Sequence, residues 1–315
     1  MAQQDGTRTI GPVAVIGAGT MGRQISALVA ASGREVRLYD LLPAALETAK
    51  DRIREELRTL PHMPQYAHHQ FTLEPPADHE ALLARVSIAG SLEEALAGAD
   101  LMIEAIREDL ETKQAFHRRA SELAPHIILA TNSSSIPSGA IAPAVIDPSR
   151  LMNMHFFAPI WQRCMVELMG CGQTSREVME TAAAFGQSLG IVVATVRGES
   201  KGFIINRVWR AVKRAALEVV DEGHADPEDV DRLWMIFFGT PTGPFGIMDM
   251  VGLDVVADIE TSYQRVTKDP TDQPSAILHG KVAAGELGEK SGRGFYTHPN
   301  PEYVQLGFLG GDRRD

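Results

Sequence analysis

The stretch Val13-Ala-Val-Ile-Gly-Ala-Gly-Thr-Met-Gly22 decides how the rest of the chain is read. Four apolar residues end in Gly17-x-Gly19-x-x-Gly22, and an alanine-rich pattern with helical spacing begins at once. The apolar run has the length of a buried parallel strand. The glycines permit a tight turn and close backbone approach, and the next helix turns its free amides and the positive end of its dipole toward a pyrophosphate. Glycine spacing alone also occurs in purely structural turns, so the neighbours carry the weight. The helix pattern Thr20 to Ala31 stops at Gly33, a strand pattern runs from Glu35 to Tyr39, and Asp40 stands 18 residues beyond Gly22. A carboxylate at that strand end accepts bonds from the adenosine ribose hydroxyls and repels a 2′-phosphate, so a dinucleotide site preferring NAD over NADP is expected.

Bulk properties bound the rest. The chain has 315 residues, enough for two domains, with 44% hydrophobic and 23% charged residues. No stretch is long and apolar enough to cross a bilayer, and the polar start Met1 to Pro12 lacks the order of a secretory signal. Two cysteines, Cys164 and Cys171, make neither a disulfide framework nor a four-ligand zinc site, which fits a reduced, cytoplasmic compartment. A net charge of −11 argues against nucleic-acid binding.

Working outward, Ala44 to Leu60 reads as an amphipathic helix whose Arg52, Arg54 and Arg58 are expected in solvent. Residues 61–79 read as an irregular insertion; its histidines at 62, 68, 69 and 79 lack the carboxylate or thiol pattern of a metal site, and no metal is expected. Strand patterns follow at Val86 to Ala89, Asp100 to Ile106, His126 to Ala130, Arg150 to Phe157, Cys164 to Met169 and Ile191 to Val196, alternating with helices at Leu92 to Leu96, Leu110 to Leu123 and Glu177 to Leu189. That alternation predicts a Rossmann-type, mostly parallel sheet of about eight strands. From Gly202 the period is helical, with no strand until Phe295-Tyr296, so the fold class is α/β with a smaller all-helical domain after it. The expected domains are residues 1–198 and 199–315, the first helix of the second serving as core or dimer interface.

Ligands of such sheets bind beyond the carboxyl ends of the strands, where Thr131-Asn-Ser-Ser-Ser135 lies. Oxidising an alcohol with NAD needs a base for the hydroxyl proton, and histidine suits that task near neutral pH. His155 ends one strand, and Glu167 interrupts the apolar run of the next, a distance that a strand, turn and returning strand could span. A buried carboxylate needs a partner, and Glu167 could fix the imidazole tautomer of His155. Ser134 and Asn206 could hold substrate oxygens.

Taken in order, Gly17 to Gly22 with Asp40, Thr131 to Ser135, His155-Phe-Phe-Ala-Pro159, Met165-Val-Glu-Leu-Met169, Lys201-Gly-Phe-Ile-Ile-Asn-Arg207, Gly239 to Phe245, Met248 to Asp254 and Lys290-Ser-Gly-Arg-Gly-Phe-Tyr296 resemble the short-chain L-3-hydroxyacyl-CoA dehydrogenase family over nearly the whole chain. The resemblance implies an NAD-dependent oxidoreductase of fatty acid metabolism, with His155 as base, Glu167 as its partner, and Ser134 and Asn206 as polar contacts at the reacting centre. For NAD it implies Gly17, Ala18, Gly19, Thr20, Met21, Gly22, Asp40, Glu108 and Lys113, with Lys290 from the second domain. It also implies a homodimer and a small-molecule substrate, an acyl-CoA. Two departures stand out: Ala158 replaces the usual Asn, and the lysines that commonly hold the coenzyme A end are replaced by arginines and histidines between Asp51 and His79. The alternatives are carnitine, gulonate or a carrier-bound hydroxyacyl group as substrate, or a non-catalytic, crystallin-like NAD-binding protein.

Overall fold

The computed structural model describes residues 8–59, 78–267 and 274–310. The chain divides into two compact units, Met1–Ile204 and Ile205–Asp315.

The first unit is an eight-stranded sheet in the order β3-β2-β1-β4-β5-β6-β7-β8, with β1 Val13–Ile16, β2 Val36–Tyr39, β3 Val86–Ile88, β4 Leu101–Glu104, β5 Ile128–Thr131, β6 Leu151–Phe156, β7 Met165–Gly170 and β8 Val192–Val196. β1, β4 and β5 are buried at every position, as their mostly apolar residues require when helices cover both faces. Helices α1 (Thr20–Ala31), α2 (Pro43–Glu47), α3 (Ala49–Thr59), α4 (His79–Leu83), α5 (Leu92–Leu96), α6 (Leu110–Leu123), α7 (Ser138–Ile141) and α8 (Arg176–Ser188) complete the unit. One core cluster includes Val13, Val15, Ile25, Leu28 and Ile53; another includes Ala14, Ile16, Leu96, Leu129 and Leu151.

One pairing departs from the parallel pattern. β6 and β7 run antiparallel, and their ladder sets His155 opposite Glu167. The helix expected over Ala44 to Leu60 is divided at Thr48 into α2 and α3, and Arg54 is engaged by Asp51 and Glu80. Residues 60–77, with His62, His68 and His69, lie outside the described residues; His79 opens α4.

The second unit contains α9 (Ile205–Asp221), α10 (Pro227–Phe238), α11 (Pro244–Val251), α12 (Leu253–Thr267) and α13 (Ala276–Ala283) around a core of residues such as Leu217, Phe245, Met248, Val256 and Leu278. The strand expected at Phe295-Tyr296 does not form. The amides of both residues donate instead to the buried carboxylate of Asp249, and only isolated bridges join Arg293 to Gly288 and Thr297. Helix α11 was not expected from the sequence; the carboxylate of Asp231, fully buried, accepts from the first-turn amides of Phe245 and Gly246 and from the Tyr296 hydroxyl, supplying partners for otherwise orphaned donors.

The first unit extends past the expected boundary at residue 198, through Ile204. Phe203 is buried with Met169 and Val196, and the amide of Ile204 donates to Glu167 at 3.0 Å.

Candidate active site

The turn after β1 has the shape of a phosphate cradle. Gly17 lies at φ +104°, and a Cβ there would stand 2.5 Å from the carbonyl oxygen of Ala105; one on Gly22 would stand 1.7 Å from that of Gly17. Both positions therefore exclude any side chain. A Cβ on Gly19 would meet nothing within 4 Å, so that face of the turn is open. Gly19 caps α1 without any side-chain acceptor, leaving first-turn amides for an incoming anion. Ala18, Thr20 and Met21 complete this turn. A backbone that bars side chains on its inner faces and stays empty on its outer one fits a pyrophosphate.

Asp40 follows β2 and faces the same turn. Its Oδ2 accepts the amide of Ala18 at 2.7 Å and its Oδ1 the amide of Leu42 at 2.8 Å. The acid is thus fixed against the glycine turn with lone pairs left for hydroxyl donors.

Glu108 reaches from the loop after β4 into the serine turn after β5. Its Oε1 accepts the Ser133 hydroxyl at 2.6 Å, the Ser134 amide at 3.1 Å, and the Ser135 amide and hydroxyl at 2.9 and 2.8 Å. Partial burial works against its charge, but the Ser133 hydroxyl, the Lys113 ammonium and Ser135 hold the carboxyl below its usual range. Two of the three serine hydroxyls are spent on Glu108, while that of Ser134, an exposed residue, has no such role. Asn132 ties the same turn to β6, its Oδ1 accepting the amide of Phe156 at 2.8 Å.

Lys113 does not reach a ligand surface. It is 1% exposed, and its Nζ donates to Glu104 at 2.6 Å and lies 3.4 Å from Glu108. Glu104, fully buried at the carboxyl end of β4, also accepts the Ile106 amide and the Thr131 hydroxyl, both at 2.8 Å, and contacts His117 Nε2 at 3.2 Å. Burial pushes this acid up, yet the His117 ring and the Lys113 charge outweigh it and pull the carboxyl from 4.5 to about 2. This cluster joins β4, α6 and the exit of β5 beneath the serine turn. Sequence reasoning missed it, although a carboxylate within the apolar run Leu101 to Ile106 is the same signal that singled out Glu167.

His155 Nδ1 lies 3.3 Å from Glu167 Oε2, with both side chains almost fully buried. In a neutral ring, a proton on Nδ1 would bond the facing carboxylate and leave Nε2 as the acceptor. The ring is packed by Phe157, with centroids 4.2 Å apart, and by Phe203 at 4.9 Å. Glu167 Oε1 is occupied by the Ile204 amide.

The first unit therefore sets the glycine turn, Asp40, Glu108, Ser134 and His155 at or beyond the carboxyl ends of its parallel strands, with Glu167 opposite His155 in the first half of the antiparallel β7. Asn206 and Lys290 belong to the second unit. Asn206 is the second residue of α9, and Lys290 lies in a short turn after α13, its Nζ 2.6 Å from Asp254 Oδ2.

Comparison with known proteins gives the family. Residues 12–199 match the 3-hydroxyacyl-CoA dehydrogenase NAD-binding domain, and residues 202–298 match the C-terminal domain of the same family. The chain is 33% identical to a probable 3-hydroxybutyryl-CoA dehydrogenase of Bacillus subtilis, over 91% of this chain and 96% of that protein. It is 32% identical to the mitochondrial hydroxyacyl-coenzyme A dehydrogenase of Sus scrofa, over 91% and 90%. The crystal structure of (S)-3-hydroxybutyryl-CoA dehydrogenase from Ralstonia eutropha is similar, with a TM-score of 0.82 and 30% identity over 93% of this chain and all of that one. With both family domains matched in order, the chain belongs to the 3-hydroxyacyl-CoA dehydrogenase family.

Proposed function

We propose that the protein interconverts an L-3-hydroxyacyl thioester, a short-chain acyl-CoA, and its 3-keto form. The observation that carries this reading is the buried His155–Glu167 pair on neighbouring strands. NAD, when bound, takes up the hydride that leaves C3 of the substrate. His155 Nε2 accepts the hydroxyl proton, and Glu167 stabilises the imidazolium that results. The unspent hydroxyl of Ser134 donates to the substrate oxygen. The glycine turn and Asp40 hold the pyrophosphate and adenosine ribose, Glu108 sets the serine turn, and Lys113 acts through Glu108 instead of touching the cofactor.

A noncatalytic role is disfavoured by the retention of base, carboxylate and serine together. The decisive measurement is NADH absorbance with (S)-3-hydroxybutyryl-CoA beside longer acyl-CoAs, carnitine, gulonate and a carrier-bound hydroxyacyl group. NADH formed fastest with the short acyl-CoA supports the reading. Formation only with another substrate would reassign it, and none with any would refute it.

The protein is further proposed to act as a homodimer in the cytoplasm, in fatty acid metabolism. Supporting the dimer, α9 and α10 leave Val208, Leu233, Ile236 and Phe237 between 56% and 81% exposed. A monomer mass in sedimentation equilibrium would refute it.

A further inference from the structure

The turn at residues 200–204 is built at a conformational disadvantage. Gly202 lies at φ +80°, and Phe203 follows at φ +54°, the only non-glycine residue with positive φ among the described residues. An aromatic residue carries a Cβ that is crowded in this left-handed region, which glycine enters freely. The turn is nonetheless pinned: the Phe203 amide donates to the Ser200 carbonyl at 3.0 Å, and the Ser200 hydroxyl donates to the Phe203 carbonyl at 3.1 Å.

What the unusual backbone achieves is visible at both ends of the base pair. The Phe203 ring, 2% exposed, packs on the His155 imidazole with centroids 4.9 Å apart and planes 37° apart. The next amide, of Ile204, donates to Glu167 Oε1 at 3.0 Å. One turn thus restrains the histidine with a ring and its carboxylate partner with an amide. Strained conformations that persist near a site are held there by the surrounding structure.

We propose that Phe203 is a positioning residue for the base: its left-handed backbone places a ring against His155 and the following amide on Glu167, so that Nε2 is presented in one tautomer and one direction. The inference rests on the reading of His155 as the general base. Phe203 touches neither substrate nor cofactor in this role. Its contacts with Met169 and Val196 supply a competing explanation, that the ring only fills the core.

The test compares Phe203→Leu with Phe185→Leu, an equally buried ring in the core of the same unit. Both variants are expected to melt earlier. Only Phe203→Leu is expected to lose about tenfold or more in kcat, with KM for NAD within about twofold, because misdirecting a reacting group costs rate more than ground-state binding. The acid limb of its kcat/KM profile should also move, which loss of packing elsewhere would not cause. Full kcat and an unchanged pH profile in Phe203→Leu, or an equal loss in Phe185→Leu, would overturn the proposal. Phe203→Met gives the same comparison if the leucine variant does not fold. In the unmodified protein, ¹⁵N NMR of the neutral His155 ring should find the single Nδ1-protonated tautomer, and a mixture would also overturn it. His155→Gln separates the two levels: retained turnover there would remove the base itself, whereas its loss beside a wild-type Phe203→Leu would remove only the role of Phe203.

Discussion

Glu167 stands directly opposite His155 in the antiparallel ladder of β6 and β7, so their 3.3 Å contact is fixed by strand pairing and not by loop conformation. Replacing His155 by Gln should keep the ladder and remove the base. Turnover is expected to fall by about 100-fold or more while NAD affinity, measured by fluorescence titration, stays nearly unchanged.

The glycine cradle makes a paired prediction. Gly19→Ala has room within the protein and should melt like the parent, yet weaken NAD binding about tenfold or more, since the added methyl enters the space that an incoming pyrophosphate would use. Gly22→Ala drives its methyl into the Gly17 carbonyl and should lower the melting temperature as well. Equal NAD affinity for Gly19→Ala and parent would argue against the cradle.

Asp40 anchors the Ala18 amide and, in the proposed site, would repel a 2′-phosphate. Asp40→Asn retains an acceptor for the amide and removes the charge. The ratio of kcat/KM for NAD to that for NADP should fall about tenfold or more, corresponding to roughly 1.4 kcal/mol, and steady-state kinetics with both cofactors reads it.

Glu104 and Lys113 form a buried pair whose separation is expensive. Lys113→Met leaves an uncompensated carboxylate and should cost about 3 to 5 kcal/mol in urea denaturation. The Glu104 carboxyl is depressed in the folded state, so its contribution is complete above about pH 4.5 and fades as pH falls toward about 2.

In the second unit the sign is opposite. Burial raises the Asp231 carboxyl to about 6 despite the amides of Phe245 and Gly246 and the Tyr296 hydroxyl. Its contribution is therefore greatest below the unfolded value of 3.8 and is lost as pH rises through about 6. Asp231→Ala orphans three donors and should cost about 3 kcal/mol or more, read by hydrogen exchange at the α11 amides.

The sheet was legible because its information is local. Each strand is a short apolar run closed by a turn residue, and β1 and the glycine turn can be read from ten consecutive letters. The histidine and its carboxylate were legible for a related reason, since a charge inside an apolar strand demands a partner. Glu104 gave the same signal, but its partners Lys113, His117 and Thr131 arrive from a helix and another strand, and no spacing rule joins them. Phe203 was illegible because a backbone angle leaves no mark in residue type. The Phe295-Tyr296 strand failed because two amides found a carboxylate, Asp249, 46 and 47 residues earlier in the chain.

The change of direction between β6 and β7 has a consequence for how such a protein can change. Sliding β7 by a single position against β6 would turn Glu167 to the opposite face and strand the imidazole without its acid. Of residues 157–164, which join the two strands, Phe157, Ile160 and Cys164 are buried, so the exposed Gln162 and Arg163 mark where the connection can be lengthened. Insertions there would leave proton transfer intact while altering what is admitted beside it, so substrate preference can drift independently of the reaction.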